Sequence, residues 1–188
     1  MLVIFDLDGT LVDNRKRLEP LGMTAEQFSQ GLVPAELTSQ KVEDTYLNPM
    51  KMLEDLPYSQ VLWKLQYYIN LRRLGKHQPV YSRIKIGILS NRPEAANGVS
   101  LLEVSKQWIA KQGVDLAELN FFVHRPADMQ YDRKKCLDWK VAQVFSLRER
   151  LRLTTLAVYD DDMAVHVGLK DTDSERYLTK EGVIQLLP

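Results

Sequence analysis

Short, uninterrupted apolar runs recur along the chain, and each ends abruptly in polar or turn-forming residues. Such runs are typical of strands that are buried on both faces of a parallel sheet. The longer segments between them repeat apolar residues every three or four positions, which is the spacing of one helix face. The strands predicted in this way are Leu2–Phe5, Ile84–Leu89, Phe121–Val123, Leu156–Tyr159 and, at the periphery, Val183–Leu187.

Three segments between these strands carry helical spacing. Apolar stripes run through residues 61–69, 101–109 and 137–145, and Gly113 stands where the second helix is expected to stop. Because strands and helices alternate, the sequence predicts an α/β fold with a mainly parallel sheet sandwiched by helices. We expect residues 1–188 to form a single domain, since this length suffices to bury a core.

Residues 15–57 interrupt the alternation. They hold two short helical segments, Ala25–Gln30 and Ala35–Tyr46, separated by prolines and glycines. We expect a small helical insertion, a minimal cap, after the first strand. Loops at the carboxyl ends of strands build the sites of α/β proteins, so such an insertion could cover a site. The alternative is that residues 15–57 form an irregular loop on the surface.

Composition narrows the range of functions. The chain balances 25 basic against 25 acidic residues, so it supplies no global basic field for an extended nucleic-acid track. Its single cysteine, Cys136, excludes an internal disulfide and fits a reducing compartment. No stretch approaches the ~20 apolar residues that span a bilayer, and the N-terminal run lacks the basic flank of a signal peptide. We therefore expect a cytoplasmic protein without a membrane partner, and the sequence leaves its oligomeric state open.

Polar side chains follow three of the predicted strands. They are Asp6 and Asp8, then Ser90–Arg92, then Asp160–Asp162. The carboxyl ends of parallel strands lie at one edge of a sheet, so these side chains are expected to converge on one crevice. Carboxylates packed together repel one another unless a cation lies among them. A hard divalent ion fits this oxygen-rich set, and Mg²⁺ is the usual one where a phosphate completes its shell.

These segments resemble the motifs of the haloacid dehalogenase superfamily, whose members are mostly phosphatases. Phe5–Asp13 is similar to the first motif, Ile88–Pro93 to the second and Val158–Asp161 to the fourth, in the same order across nearly the whole chain. The resemblance implies a Rossmann-like sheet, a Mg²⁺ cofactor and hydrolysis of a phosphate monoester through an aspartyl-phosphate. An acid at Asp8 favours a phosphatase or phosphomutase over a dehalogenase or a transport ATPase.

The resemblance also assigns roles to individual residues. Asp6 would be the nucleophile, which divides one difficult displacement into two easier ones. Asp8 would protonate the leaving alcohol and later take a proton from the attacking water. Asp160 and Asp161 would hold Mg²⁺ together with Asp6 and the backbone carbonyl of Asp8. Ser90 would donate a hydrogen bond to a phosphate oxygen.

The third motif of the superfamily is a lysine that neutralises phosphate charge, usually near the start of a helix. Lys140 stands where the third helical stripe begins and is the favoured candidate. Lys135 is the alternative.

A finer resemblance is to the phosphatase domain of polynucleotide kinase. An arginine follows the Ser/Thr of its second motif by two residues, as in Ser90-Asn91-Arg92, and an Arg-Pro stretch precedes its lysine, as in His124–Asp128. This implies that Asn91 and Arg92 contact phosphate and that the substrate is a nucleotide or a nucleic-acid terminal phosphate. A phosphorylated small non-nucleotide metabolite is the alternative substrate, and a catalytically silent binding domain of the same fold is the alternative function.

Two groups of residues are interpreted as structural. His77, His124 and His166 lack the spacing of metal ligands and are assigned to the interior or surface, with His124 kept as a candidate for the rim of the site. Trp63, Tyr67 and Tyr68 follow helical spacing and are predicted to belong to the core rather than to a base-stacking platform.

Overall fold

The computed structural model describes residues 1–30, 32, 34, 36–75 and 77–188. The strands are β1 (Leu2–Phe5), β2 (Val12–Asp13), β3 (Leu56–Pro57), β4 (Lys85–Pro93), β5 (Ala95–Ala96), β6 (Val99–Ser100), β7 (Phe121–Arg125), β8 (Leu156–Asp160), β9 (Ser174–Lys180) and β10 (Val183–Leu186). The helices are α1 (Arg15–Leu18), α2 (Ala25–Ser29), α3 (Ser39–Tyr46), α4 (Pro49–Glu54), α5 (Ser59–Leu74), α6 (Pro79–Ser82), α7 (Leu101–Lys111), α8 (Arg133–Arg150) and α9 (Met163–Gly168).

The central sheet is mainly parallel. Among the described residues its six strands lie in the order β10-β9-β8-β1-β4-β7, and β9 pairs with β10 in antiparallel register. β1 lies between β4 and β8, with Phe5 opposite Ile88 on one side and opposite Tyr159 on the other. This register brings the residues that follow β1 and β8 to the same edge as the last residues of β4. The predicted α/β fold with a mainly parallel sheet is confirmed.

Helices cover both faces of the sheet. Val3 and Phe5 pack on one face within the same core cluster as residues of α5 and α7, whereas Leu2 and Ile4 pack on the other face with residues of α8 and α9. Successive strand residues point to opposite faces, so every position of β1 has to be apolar. All four are buried.

A two-stranded ribbon encloses the segment predicted as an insertion. β2 pairs with β3 in antiparallel register, so the chain leaves and re-enters the α/β body at neighbouring positions. The helices α1 to α4 lie between these two strands in sequence. A separate small core forms within this segment, from the buried residues Leu18, Leu21, Met23 and Tyr46.

Two predicted elements begin or end elsewhere. The strand predicted to end at Leu89 continues as β4 to Pro93, so Ser90–Arg92 lie within the strand instead of after it. The helix predicted from residue 137 begins at Arg133, because the carboxylate of Asp132 accepts a hydrogen bond from the backbone of Lys135 and caps the helix.

Two further differences concern the insertion and the sheet edge. Ala35, where a helix is expected to begin, lies outside the described residues, and α3 begins at Ser39 after the N-cap Thr38. The sequence does not predict β9, because charged and polar residues occupy most of its length and its buried pair is Leu178 and Thr179.

The prediction of a buried aromatic group on α5 is correct for one of its three members. Tyr68 is buried, and its hydroxyl lies 3.1 Å from that of Tyr159. Trp63 is 63% exposed and Tyr67 is 40% exposed, and their rings stack on one another with centroids 5.7 Å apart. The four-residue spacing puts these two rings on one line of the helix, but that line is largely exposed to solvent. In the described part of the chain, no helix has the length and apolar character needed to cross a membrane.

Leu65→Ala is expected to lower the free energy of unfolding by roughly 2–5 kcal/mol, because it leaves a cavity in the main core. Leu65 lies in α5 and is fully buried. Leu74→Ala, in the same helix but at a position that is 50% exposed, is the matched control and should cost less than about 0.5 kcal/mol. Urea denaturation of both variants measures the difference, and equal losses would contradict this packing of α5.

Candidate active site

The end of β1 places Asp6 in the middle of the crevice. Asp6 is 5% exposed, and its backbone N–H donates to the carbonyl of Tyr159 at 3.0 Å, which extends the pairing with β8 by one residue. Lys140 donates a hydrogen bond to the Asp6 carboxylate at 2.7 Å. The same ammonium group lies 2.7 Å from a carboxylate oxygen of Asp160. Lys140 therefore joins the ends of two adjacent strands.

This lysine comes from the middle of α8 and not from its first turn. Cys136, Lys140 and Val144 recur every four residues and are buried on the same face of the helix. The aliphatic stem of the lysine can therefore cross the apolar layer while its ammonium reaches the carboxylates at the strand ends. Lys135, the alternative candidate, is exposed on α8.

Three carboxylates form a cluster at this edge. One oxygen from each of Asp6, Asp160 and Asp161 lies within 4.8 Å of the others. The backbone N–H of Asp162 donates to Asp160 at 3.0 Å and orients that carboxylate. Gly9 approaches the cluster closely: its φ is +79°, and an added Cβ would lie 2.3 Å from an oxygen of Asp161. These hard oxygen donors fit a divalent cation such as Mg²⁺.

The single positive charge of Lys140 does not balance the three carboxylates of this cluster. Burial raises the pKa of Asp6 to about 7, an effect that Lys140 opposes and Asp160 reinforces. Burial, together with Asp6 and Asp160, also raises the pKa of Asp161. Burial alone would lower the pKa of Lys140, but the two carboxylates beside it raise that pKa, so the ammonium stays charged. A divalent cation would relieve the remaining repulsion among the acids.

Two arginines hold Asp8 beside this cluster. The Nε and Nη2 groups of Arg92 donate to the two Asp8 oxygens at 2.7 and 2.5 Å, and Arg17 donates to the same carboxylate. Burial would raise the pKa of Asp8, but the two guanidinium charges outweigh it and hold the pKa well below its usual range. In this arrangement Asp8 is an ionised carboxylate that binds a proton only weakly. Accepting or donating a proton requires these contacts to loosen.

Arg92 takes a different position from the one that the resemblance implies. Its third guanidinium nitrogen, Nη1, donates to the hydroxyl of Ser105 at 3.0 Å. Each nitrogen of the guanidinium therefore already has a partner in Asp8 or Ser105. The structure therefore shows Arg92 orienting Asp8, and its contact with a phosphate stays a prediction. Sequence spacing could not reveal this, because it does not say which side of β4 the side chain crosses.

Ser90 and Asn91 lie in the second half of β4, the strand that pairs with β1. Ser90 is 1% exposed, and its hydroxyl accepts a hydrogen bond from the backbone of Arg92 at 3.2 Å, which leaves its proton for another acceptor. The register of β4 against β7 shifts between Ser90 and Pro93, an irregularity that is common next to functional sites. The side-chain oxygen of Asn91 is buried, with no hydrogen-bond partner among the described residues.

Arg17 belongs to the site but was not identified from the sequence. This fully buried residue of α1 donates from Nε to Asp55 at 2.8 Å and from Nη1 to the carbonyl of Tyr46 at 2.7 Å. Its guanidinium also lies 4.2 Å from the centre of the Tyr46 ring. Arg17 thus connects the insertion to Asp8. Within the basic run Arg15–Arg17, no sequence signal separates the buried arginine from its exposed neighbours.

Two of the histidines support the strand ends. The Nε2 atom of His166 lies 3.0 Å from the carbonyl of Asp160, and the Nδ1 atom of His124 lies 3.2 Å from the carbonyl of Pro93. Burial lowers the pKa of His124 to about 3, so its ring is neutral. Neither ring enters the carboxylate cluster.

No protein-family model matches the chain, and no curated protein matches it. Among solved structures, the chain is similar to the crystal structure of a HAD-superfamily hydrolase (subfamily IA, variant 1) from Geobacter sulfurreducens PCA. The two chains share 8% identity with a TM-score of 0.48, and the match covers 93% of this chain and 86% of the other.

In metal-free protein, the contribution of Asp6 to stability is expected to fall as the pH rises from about 4 to about 7. The folded pKa of Asp6 is raised to about 7, whereas an unfolded aspartate titrates near ~3.9. Between these values the folded state binds a proton that the unfolded state has released, so raising the pH favours unfolding. Asp6→Asn should reduce this slope in EDTA-containing buffer and leave the part that Asp161 contributes, whereas Asp128→Asn, at an exposed position, should leave the slope unchanged. Parallel slopes for wild type and Asp6→Asn would contradict the assignment.

Arg17→Gln is expected to destabilise the protein by about 3–5 kcal/mol, because it leaves buried carboxylates without their cation. The Arg17 side chain is 1% exposed and pairs with Asp8 and Asp55. Arg15→Gln, two residues earlier in the same helix, removes an exposed partner of Asp13 and should cost less than about 1 kcal/mol. Chemical denaturation of the two variants gives the comparison. A small loss for Arg17→Gln would show that the buried network is dispensable for folding.

Proposed function

We propose that the protein is a magnesium-dependent phosphomonoesterase of the haloacid dehalogenase superfamily. The observation that carries the proposal is the contact of one buried ammonium, that of Lys140, with both Asp6 and Asp160 at 2.7 Å. This contact brings Asp6, Lys140 and Asp160 together at one edge of the sheet, and these residues match three separate motifs of that superfamily. A catalytically silent domain would have no need of this arrangement of nucleophile, cation and metal-binding acids.

The first step is attack of the Asp6 carboxylate on the phosphorus atom. A bond forms between an Asp6 oxygen and phosphorus while the bond from phosphorus to the leaving oxygen breaks, which gives an aspartyl-phosphate. Lys140 and Ser90 bind the non-bridging oxygens and stabilise the charge that develops on them. Asp6, Asp160, Asp161 and the backbone carbonyl of Asp8 would hold Mg²⁺, which supplies positive charge to the nucleophile and the phosphate.

Hydrolysis of the aspartyl-phosphate needs a base. The two arginine contacts fix the orientation of Asp8 and keep it ionised, so substrate binding has to loosen the contact with Arg17 or Arg92 before Asp8 can exchange protons. With that contact loosened, Asp8 takes up a proton from solvent and gives it to the leaving oxygen in the first step. In the second step, a water molecule attacks phosphorus and gives its proton to Asp8, and the Asp6 carboxylate leaves.

For the substrate we propose a nucleotide or a nucleic-acid terminal phosphate. The similarity of Ser90-Asn91-Arg92 and of His124–Asp128 to the phosphatase domain of polynucleotide kinase supports this choice, as does the buried Arg125 of β7. A small non-nucleotide phosphate is the second candidate, favoured by the balanced charge of the chain. A cytoplasmic location is part of the proposal and is supported by the single, unpaired cysteine.

Hydrolysis of p-nitrophenyl phosphate is expected to stop in EDTA and to return with added Mg²⁺. Asp160→Ala should raise the Mg²⁺ concentration needed for half-maximal rate at least tenfold, because it removes one of three clustered carboxylates. Asp6→Asn should lower kcat by roughly a thousandfold or more at saturating Mg²⁺, since it removes the nucleophile. Asp162→Asn is the control: its side chain caps α9, a role that asparagine also fills, and its rate should stay near that of the wild type.

The same assay can overturn the proposal. Full activity of EDTA-treated enzyme would exclude the metal, and near wild-type activity of purified Asp6→Asn would exclude Asp6 as the nucleophile. A parallel comparison of nucleoside monophosphates, 3′-phosphorylated oligonucleotides and sugar phosphates separates the two candidate substrates.

A further inference from the structure

Three polar side-chain atoms are buried at the ends of β4 and β7 without a hydrogen-bond partner in the described part of the chain. They are the Oδ1 atom of Asn91, the Nε2 atom of His124 and the Nη1 atom of Arg125. Buried polar atoms are nearly always bonded, and leaving one unbonded costs roughly 1–3 kcal/mol. Only the Arg125 atom is a donor, because the neutral His124 ring uses its Nδ1 proton on the Pro93 carbonyl and the Asn91 atom is an amide oxygen. Arg125 is therefore the group of the three that can bind an anion.

Arg125 differs from the other two buried arginines of the site. It is 4% exposed, and its Nε donates to the backbone carbonyl of Asn91 at 3.1 Å, which fixes the guanidinium against the residue after Ser90. Arg17 and Arg92 each contact a carboxylate, whereas no carboxylate among the described residues pairs with Arg125. A buried guanidinium keeps its charge, so the group that completes its bonding is an anion.

We propose that Arg125 binds a second phosphate group of the substrate, next to the phosphate that is hydrolysed; this rests on the proposed function. The first phosphate is held by Asp6, Lys140 and Ser90. β4 separates β7 from β1, and the Nε of Arg125 reaches across to the carbonyl of Asn91 in β4. Measured across the sheet, the guanidinium therefore lies one strand spacing, roughly 5 Å, from the strand that leads to the nucleophile. The second phosphate then lies on the β7 side of the crevice.

The surroundings of Arg125 fit a nucleotide. The exposed Tyr131 lies between Arg125 and Arg133 in the sequence, and Arg133 contacts Asp162 at 3.3 Å. An aromatic ring beside arginines suits a base attached to a phosphate. The second phosphate has two possible sources, a nucleoside bisphosphate or the last phosphodiester of a nucleic-acid end, and both offer the same oxyanion to Arg125.

The test compares substrates with one and with two phosphate groups. For Arg125→Gln, KM should rise at least tenfold more for a nucleoside 3′,5′-bisphosphate or a 3′-phosphorylated dinucleotide than for p-nitrophenyl phosphate. A rise in KM for the bisphosphate alone identifies a free nucleotide as the source of the second phosphate. A rise in KM for the dinucleotide identifies a nucleic-acid end. Arg150→Gln, which removes one exposed charge at the far end of α8, is the control and should leave all three KM values within twofold. Equal changes on all substrates, or no change on any, would overturn the proposal.

A binding measurement covers the case in which Arg125→Gln fails to fold. Calorimetry with Asp6→Asn protein and Mg²⁺ should show at least tenfold tighter binding of the nucleoside 3′,5′-bisphosphate than of the nucleoside 3′-monophosphate. Equal affinities would refute the second phosphate site even if p-nitrophenyl phosphate is hydrolysed. Tighter binding of the bisphosphate by a protein that hydrolyses no phosphomonoester would instead support the site and refute the proposed function.

Discussion

Asp6 and Asp160 end two adjacent strands of the sheet, and their carboxylates lie close enough to repel each other. The buried ammonium of Lys140 contacts both at 2.7 Å and makes that approach tolerable. The lysine can reach them because α8 packs on the sheet, so that the aliphatic part of the Lys140 side chain crosses the apolar layer between them. Strand register, helix packing and site charge therefore depend on one another at this point.

A second charge system, built from Asp8, Arg17, Arg92 and Asp55, lies next to the first. It draws one arginine from the sheet and the other from the insertion, so the insertion contributes to the geometry around Asp8. Asp6 and Asp8 are consequently held in opposite electrostatic conditions. Acids and too little positive charge surround Asp6, whereas Asp8 lies between two cations.

The sequence predicts the centre of this fold well because buried parallel strands have to be apolar on both faces, as in β1 and β8. It also predicts Asp6 and Asp160, since they directly follow or end such runs. It does not predict β9, whose edge position tolerates polar residues, or the outward-facing Trp63, since helical spacing does not say which way a stripe faces. Arg17 could not be found either, because the burial of an arginine is decided by partners that are distant in sequence.

The four side chains of the Asp8 system have a consequence for how this protein can vary. Two positive and two negative charges are enclosed together, and they sum to zero. A change at any one position leaves an uncompensated charge in the interior, whereas simultaneous loss of one arginine and one aspartate keeps the sum unchanged. Divergence at these positions is therefore restricted to coordinated replacements, and the insertion cannot evolve independently of the sheet that it adjoins.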